Sequence, residues 1–421
     1  MKPRLAYRDA TIGYPGTAVV KRVTLDIAAG EVVGLIGPNG AGKSTILRAV
    51  TGAARVSAGE VELDGRPLSR YSVRERARVA AVVPQSVSAA FSFTAREFVL
   101  MGRHPHLSRL QQLSSADESL AHSVMEHTDT LRLADEAVDT LSGGDLQRLA
   151  LAQALAQQPS VLLLDEATSH LDLNHRLQVL DLIRDLADSG MAVLAVFHDL
   201  DLAARYSDRL AVVDAGRLGP SGPPHDVLTG TLLARVFRVR AVVGTDPVTG
   251  SVTVTPVLRE EAVEQSYRGR VLVVGGSGTG APLMRGLFLA GYDVRAAALS
   301  VGDIDQAVAE ALGVAYVKIA AFGTVDQAAA RRIEEESRAA DVVIVGEIPV
   351  GGANLGNLAA ATAAPERTVF VGAFGPGRDF TDGKASALVA DALARGARQV
   401  ADVEAALAAA AEISRAAGSG A

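Results

Sequence analysis

Nine residues have the types and spacing to hold a phosphate: Gly37, Pro38, Asn39, Gly40, Ala41, Gly42, Lys43, Ser44 and Thr45. They fit Gly-x-x-x-x-Gly-Lys-[Ser/Thr]. Glycines let backbone N–H groups curl around phosphate oxygens with no Cβ in the way, and a helix start adds partial positive charge. In such a loop Lys43 would reach the β- and γ-phosphates, and the Ser44 hydroxyl would ligate Mg²⁺. Other polar groups stand at the ends of apolar runs: Gln85 after residues 80–84, Asp165 and Glu166 after 161–164, and His198 after 192–197. Four buried aliphatics next to an acidic pair make sense if Asp165 holds Mg²⁺ through its water shell and Glu166 polarises an attacking water. Alone, Gln85 is a capping or turn residue and His198 a structural histidine. The weight lies in three apolar strands delivering polar groups to one sheet edge beside one phosphate loop.

The elements that must position these groups are legible around them. Residues 31–36 read as a buried strand entering the loop, and residues 45–50 as the helix leaving it. Residues 59–65 are a strand followed by a turn, residues 70–78 a charged helix, and residues 94–160 are largely helical. Within that stretch the helix 94–101 runs into Gly102-Arg103-His104-Pro105-His106. Two histidines separated by proline, with no third ligand, make a poor metal site. A solvated loop or a partner-contact loop is the better reading. Ser142 reads as the N-cap of a helix over 146–157, and Gly143 and Gly144 leave its N-terminus open to an anion; alone this is a helix start. Tyr14, in the turn Gly13-Tyr14-Pro15-Gly16, could stack on an adenine ring, but on the residues alone it is an ordinary packing tyrosine.

Composition sets the bounds. The chain has 421 residues, 48% hydrophobic and 21% charged, with a net charge of −7. That length fits two or three domains. The acidic balance argues against binding nucleic acid through bulk charge. No cysteine is present, so disulfides, thiolate metal sites and cysteine nucleophiles are excluded. The opening MKPRLAYRDA has no apolar core of signal-peptide length, and no apolar run approaches the ~18 residues of a membrane span. Work at a membrane would need spans from another chain.

From about Leu5 to about Pro256 the chain resembles an ATP-binding cassette (ABC) ATPase. GPNGAGKST matches the first phosphate motif, Gln85 the Q-loop, LSGGD the signature motif, VLLLDE the second nucleotide motif, SHLD the D-loop and His198 the switch histidine. Tyr14 falls where that family places its adenine-stacking aromatic. The resemblance implies ATP and Mg²⁺ as cofactors, with Ser44, Gln85 and Asp165 at the metal and Lys43, Glu166 and His198 catalytic. It also implies that Ser142, Gly143, Gly144 and Asp172 complete the ATP site of a second subunit. Asp145 departs from the glutamine usual in the signature motif. One phosphate loop per chain requires a second ATPase subunit, most simply a homodimer. The segment after Gln85, with TSHLDLNHRLQVLDLI, resembles importers of iron-siderophores, haem and cobalamin. The partners then implied are multi-span permease subunits and, through them, a periplasmic or extracellular substrate-binding protein, with no nucleic acid. The location implied is the cytoplasmic face of the membrane, peripherally. The alternatives are a soluble ABC ATPase without transport, or one regulated by ligand sensing in the C-terminal domain.

The expected fold class is α/β: a P-loop nucleotide-binding domain over residues 1–258, with a helical subdomain at about 86–160, then a linker over 259–269 and a smaller doubly wound, Rossmann-like domain over 270–415. Strand patterns at 271–274, 294–299, 315–319, 342–345 and 368–371 alternate with helices. Gly276, Gly278 and Ala281 give Gly-x-Gly-x-x-Ala before a helix at 282–290. The ribose-binding acid that a dinucleotide site wants is missing from the second strand's end, Ser300, with Asp303 a turn later. Glycine-rich loops at 346–357 and 372–380 share the same edge. A nucleotide or cofactor sensor and a stability or dimerisation module both fit. Similar C-terminal extensions on cobalamin-type importer ATPases tilt the sensor toward a corrinoid.

Overall fold

The computed structural model describes residues 2–85, 93–108, 111–168, 171–246, 248–259, 268–321 and 323–418. The chain divides into two compact units. The first is Met1–Phe237 with Val243–Val254, and the second is Arg238–Val242 with Thr255–Ala421.

The first unit carries two sheets. β1 (Leu5–Tyr14), β2 (Thr17–Ile27), β4 (Arg55–Leu63) and β5 (Arg66–Pro67) form an antiparallel sheet in the order 2-1-4-5. β3 (Val32–Ile36), β6 (Ala80–Val83), β7 (Val161–Asp165), β8 (Ala192–Val196), β9 (Arg209–Asp214) and β10 (Arg217–Gly222) form a second, in the order 10-9-3-8-7-6. Only the β9–β10 pairing there is antiparallel. β3 and β8 are buried along their whole length, which is why they read as unbroken apolar runs. α1 (Lys43–Thr51) buries Ile46, Leu47 and Val50 in the core shared by both sheets.

The helices α2 (Val73–Val79), α3 (Ala95–Leu100), α4 (Ser115–His127) and α5 (Gly143–Ala156) precede β7, and α6 (Leu173–Asp188) and α7 (Leu200–Tyr206) follow it. Val99, Met125, Leu149 and Ala152 give α3, α4 and α5 a separate apolar core. Two short helices, α8 (Pro224–Val227) and α9 (Gly230–Leu232), close the unit. β11 (Val239–Thr245) and β12 (Val252–Arg259) pair as a ribbon.

In the second unit six strands are all parallel: β13 (Arg270–Val274), β14 (Asp293–Ser300), β15 (Ala315–Ile319), β16 (Val342–Val345), β18 (Thr368–Val371) and β20 (Arg398–Val400). A minor pair, β17 (Val350–Gly351) and β19 (Asp379–Phe380), sits in the connecting loops. The order 15-14-13-16-18-20 is the doubly wound order, with its reversal between β13 and β16. Val271 and Val273 face one core with α10 (Ala281–Leu289), α11 (Ile304–Leu312) and α15 (Val403–Gly418). Leu272 and Val274 face another with α12 (Gln327–Ala339), α13 (Leu355–Ala361) and α14 (Lys384–Ala394). Period-2 alternation along one strand thus covers both faces of the sheet. The α/β class and the second, doubly wound unit are as the sequence predicts.

Candidate functional site

The carboxyl ends of β3, β6, β7 and β8 converge on one cavity of about 410 Å³. Its lining includes residues 39–45, Gln85, Glu166 and His198, so the predicted phosphate loop and three strand-end groups meet there. Gly42 caps α1 with no side chain, at φ +107°. A Cβ on it would stand 2.3 Å from Val20 Cγ1. Gly40 has φ +79°, and a Cβ there would meet nothing within 4 Å, so this backbone faces open space. As first residues of a helix, Lys43 and Ser44 have N–H groups with no intrahelical acceptor. The Lys43 ammonium donates to Gly37 O at 2.8 Å and Pro38 O at 3.0 Å. Burial pushes its pKa below the ordinary lysine value, while Glu166 and Asp165 pull the other way. A cation, free N–H groups and open glycine backbone fit a polyphosphate.

Ser44 Oγ donates to Asp165 Oδ1 at 2.6 Å. Hydroxyl and carboxylate side by side are hard oxygen ligands of the kind Mg²⁺ takes. His198 Nε2 lies 2.5 Å from Glu166 Oε1. Glu166 itself sits at φ +56°, a conformation rare outside glycine and held here at the cavity's edge. A carboxylate paired with an imidazole in this position can take a proton from a water beside the phosphate.

Tyr14 is not in this lining. It is 39% exposed and borders a neighbouring cavity of about 270 Å³ with Arg55 and Ser57. Its hydroxyl accepts from Arg48 Nη1 at 3.3 Å, and Arg48 Nη2 stands 3.5 Å from Asp165 Oδ2. Arg48 therefore links Tyr14 to the Ser44–Asp165 pair, a role the sequence reading missed. The signal for it was position: Arg48 lies one turn beyond Ser44 on α1. Val19, on the cavity wall, was also missed.

Ser142, Gly143, Gly144 and Asp172 lie outside the described cavity lining. The α5 helix starts at Gly143, not Leu146, because Ser142 caps it: its hydroxyl accepts from Asp145 N at 3.2 Å and donates to Asp145 Oδ2 at 2.6 Å. Burial alone would raise the Asp145 pKa, but bonds from Ser142, Arg148 and Arg132 outweigh it and leave the pKa below the ordinary value. The acid at this unusual position is thus neutralised within its own subunit. Asp172 caps α6 and holds His175 through N–H at 2.9 Å and Nδ1 at 2.7 Å. Of the D-loop, Ser169 and His170 lie outside the described residues, as do residues 86–92 after Gln85.

The 102–106 segment, expected as a solvated loop or a partner-contact loop, is not a freely solvated one. It is a 3₁₀ turn with Arg103 buried, bonded to Asp117 at 2.8 Å and Ala156 O at 2.7 Å. His106 Nε2 lies 2.9 Å from Gln157 O. Arginine's fixed fork lets one side chain satisfy an acid and a helix-end carbonyl together, which pins the turn.

Residues 20–169 match the family model described as ABC transporter, and residues 294–407 match the MJ0874 family. The cobalamin import ATP-binding protein BtuD of Halobacterium salinarum is 42% identical over 332 residues, 78% of this chain and 82% of that protein. The chain belongs to the ABC transporter family. It is an ABC ATPase, and the residues matched by the ABC transporter model lie in its first unit. The hemin import ATP-binding protein HmuV of Nocardia farcinica is 48% identical over 243 residues, 58% of this chain and 84% of that one. The ferric enterobactin transport ATP-binding protein FepC of Escherichia coli is 36% identical over 257 residues, 61% and 95% respectively. Among solved structures, a chain from an inward-facing ABC transporter described as of metal-chelate type superposes with a TM-score of 0.54 at 25% identity, over 61% of this ABC ATPase and 99% of that chain.

Proposed function

We propose that this ABC ATPase powers import of a metal chelate through a separate permease, and that the chelate is a cobalamin. The observation that carries the choice is the reach of the Halobacterium match. At 332 residues it runs well past the length of the first unit and takes in part of the second, whereas the hemin and enterobactin relatives match over 243 and 257, about the length of the first unit. No helix among the described residues is long and apolar enough to cross a membrane; in this reading a permease partner supplies the translocation path.

In this reading Lys43 and the N–H groups of residues 39–45 bind the phosphates, and Tyr14 turns to the adenine. Ser44, Asp165 and Gln85 hold Mg²⁺, which supplies charge neutralisation when bound. Glu166 takes the proton of the attacking water, and His198 fixes the orientation of its carboxylate. Ser142, Gly143, Gly144 and Asp172, away from their own subunit's cavity, face the ATP of a second copy. ATP binding then favours a closed dimer, and that population shift drives the permease at the cytoplasmic face.

The test starts with tagged protein purified from native membranes in detergent. The expected result is co-purification of a multi-span permease and cobalamin-dependent ATPase activity. Glu166→Gln should lower hydrolysis about 100-fold or more and stop uptake while ATP remains bound. Unchanged cobalamin uptake in cells carrying only that variant rules the reading out.

A further inference from the structure

The second unit has the strand order and glycine turn of a nucleotide-binding domain, yet the place of the phosphate is taken. Asp305, in the first turn of α11, has no exposed surface. Its Oδ2 accepts from Gly276 N at 2.6 Å and Gly280 N at 2.9 Å, and its Oδ1 from Ala281 N at 2.7 Å. Gly280 N and Ala281 N are donors at the N-terminus of α10 and Gly276 N lies in the glycine turn before it, the kind of backbone donors that hold a pyrophosphate in dinucleotide sites. Asp303, the acid nearest to the ribose position, is spent likewise: Oδ2 accepts from Ser277 N at 2.9 Å and Oδ1 from Asp305 N at 2.9 Å. The glycines fit the acid rather than a ligand. A Cβ on Gly275 would stand 2.7 Å from Asp305 Oδ2, and one on Gly280 3.0 Å from it.

The other side of the turn is closed too. The crevice at the sheet's reversal lies between the loops after β13 and β16. A Cβ on Gly346 would lie 3.1 Å from Thr279 Oγ1, and one on Gly276 3.8 Å from Ile348 Cγ2, so the two loops leave about the room of a methyl group between them. Arg378 holds the second loop in place, donating to Gly346 O at 2.8 Å, Ile348 O at 3.2 Å, and Val371 O and Ala373 O at 3.2 Å.

The geometry points to Asp305 as a resident phosphate mimic: the chain's own carboxylate fills the anion position of this doubly wound domain and closes its glycine turn to nucleotides and dinucleotides. A ligand of the second unit, a corrinoid included, is met by other surfaces. This inference is independent of the transport reading, since it concerns only the second unit.

Hydrogen exchange on the full chain reads it directly. To keep the first unit's loop silent, the background is Lys43→Ala. In ligand-free protein the peptide covering residues 275–281 is expected to exchange slowly, and NAD, NADP, FAD and ATP at millimolar concentration leave its rate unchanged. Asp305→Ala should speed exchange there about 10- to 100-fold, the loss of bonds to a charged acceptor, and formate should restore slow exchange by refilling the hole. Fast exchange in the ligand-free protein with Asp305 intact, or further slowing by any of these nucleotides, overturns the assignment. If Asp305→Ala does not fold, the measurement with Asp305 intact still decides.

Discussion

Two turns of this chain join a buried strand to a helix through glycine, and each opens on a glycine of nearly the same φ, although the second positive-φ glycine compared follows three residues later in one and two in the other. After β3, Gly37 and Gly40 have φ of +150° and +79°; after β13, Gly276 and Gly278 have +152° and +84°. What meets the turn differs. Around the first stand a lysine and open space at Gly40. The second encloses a buried aspartate. Glycines shape both turns, and the charge delivered to each decides whether an anion from outside can enter. In the first turn the deciding residue, Lys43, lies inside the motif. In the second it comes from a helix about 25 residues on.

The comparison predicts opposite outcomes for equivalent damage. Lys43→Ala removes the only charge the first turn supplies, and steady-state ATP hydrolysis should fall about 100-fold or more. Thermal stability should stay close to that of the parent, because among the described residues Lys43 donates to the loop carbonyls of Gly37 and Pro38. A variant that hydrolyses ATP normally would break the comparison at its open end.

Alanine in place of one glycine sharpens the contrast. Gly280→Ala drives a Cβ to 2.9 Å from Gly275 Cα and 3.0 Å from Asp305 Oδ2. The second unit should lose about 1–3 kcal/mol to overpacking, seen in chemical denaturation, with ATPase activity intact. Gly40→Ala meets no neighbour but keeps φ +79°. It should cost about 1 kcal/mol in stability and raise the KM for ATP about tenfold, since the added methyl occupies the ligand's space. Equal effects on stability and KM from both variants would erase the distinction.

Much of this was legible in the sequence. β16 and β18 fall on the predicted residues because each is a short, fully buried and mainly apolar run, and β15 does so with alternating exposure about Val317. The strand-end positions of Gln85, Glu166 and His198 follow from the same runs, and the cavity brings them together. β20 escaped notice because Arg398 and Gln399 are exposed, so no apolar run marks it. Asp305 escaped for a different reason. An acid in the first turn of a helix is commonplace, and only the fold shows that its oxygens serve another helix's N-terminus. The burial of Arg103 was not legible because charge predicts exposure, whereas Asp117 and the end of α5 bury it. Contacts set by chain topology leave no local trace.

The smallest effect separates the two turns by titration. Burial lowers the Lys43 pKa, so the free enzyme loses this charge at lower pH than an ordinary lysine would. The protonated form is the one that holds phosphate. kcat/KM for ATP, which reports the free enzyme, should therefore be full below that lowered pKa and fall up to about tenfold per pH unit above it. Lys43→Arg removes the alkaline limb, because a guanidinium does not titrate there, even if its basal rate is lower. The second turn holds no cation, so the exchange rate of residues 275–281, corrected for its intrinsic pH dependence, should show no matching limb. An alkaline limb that survives in Lys43→Arg would place the titrating group elsewhere and detach the pH profile from the open turn.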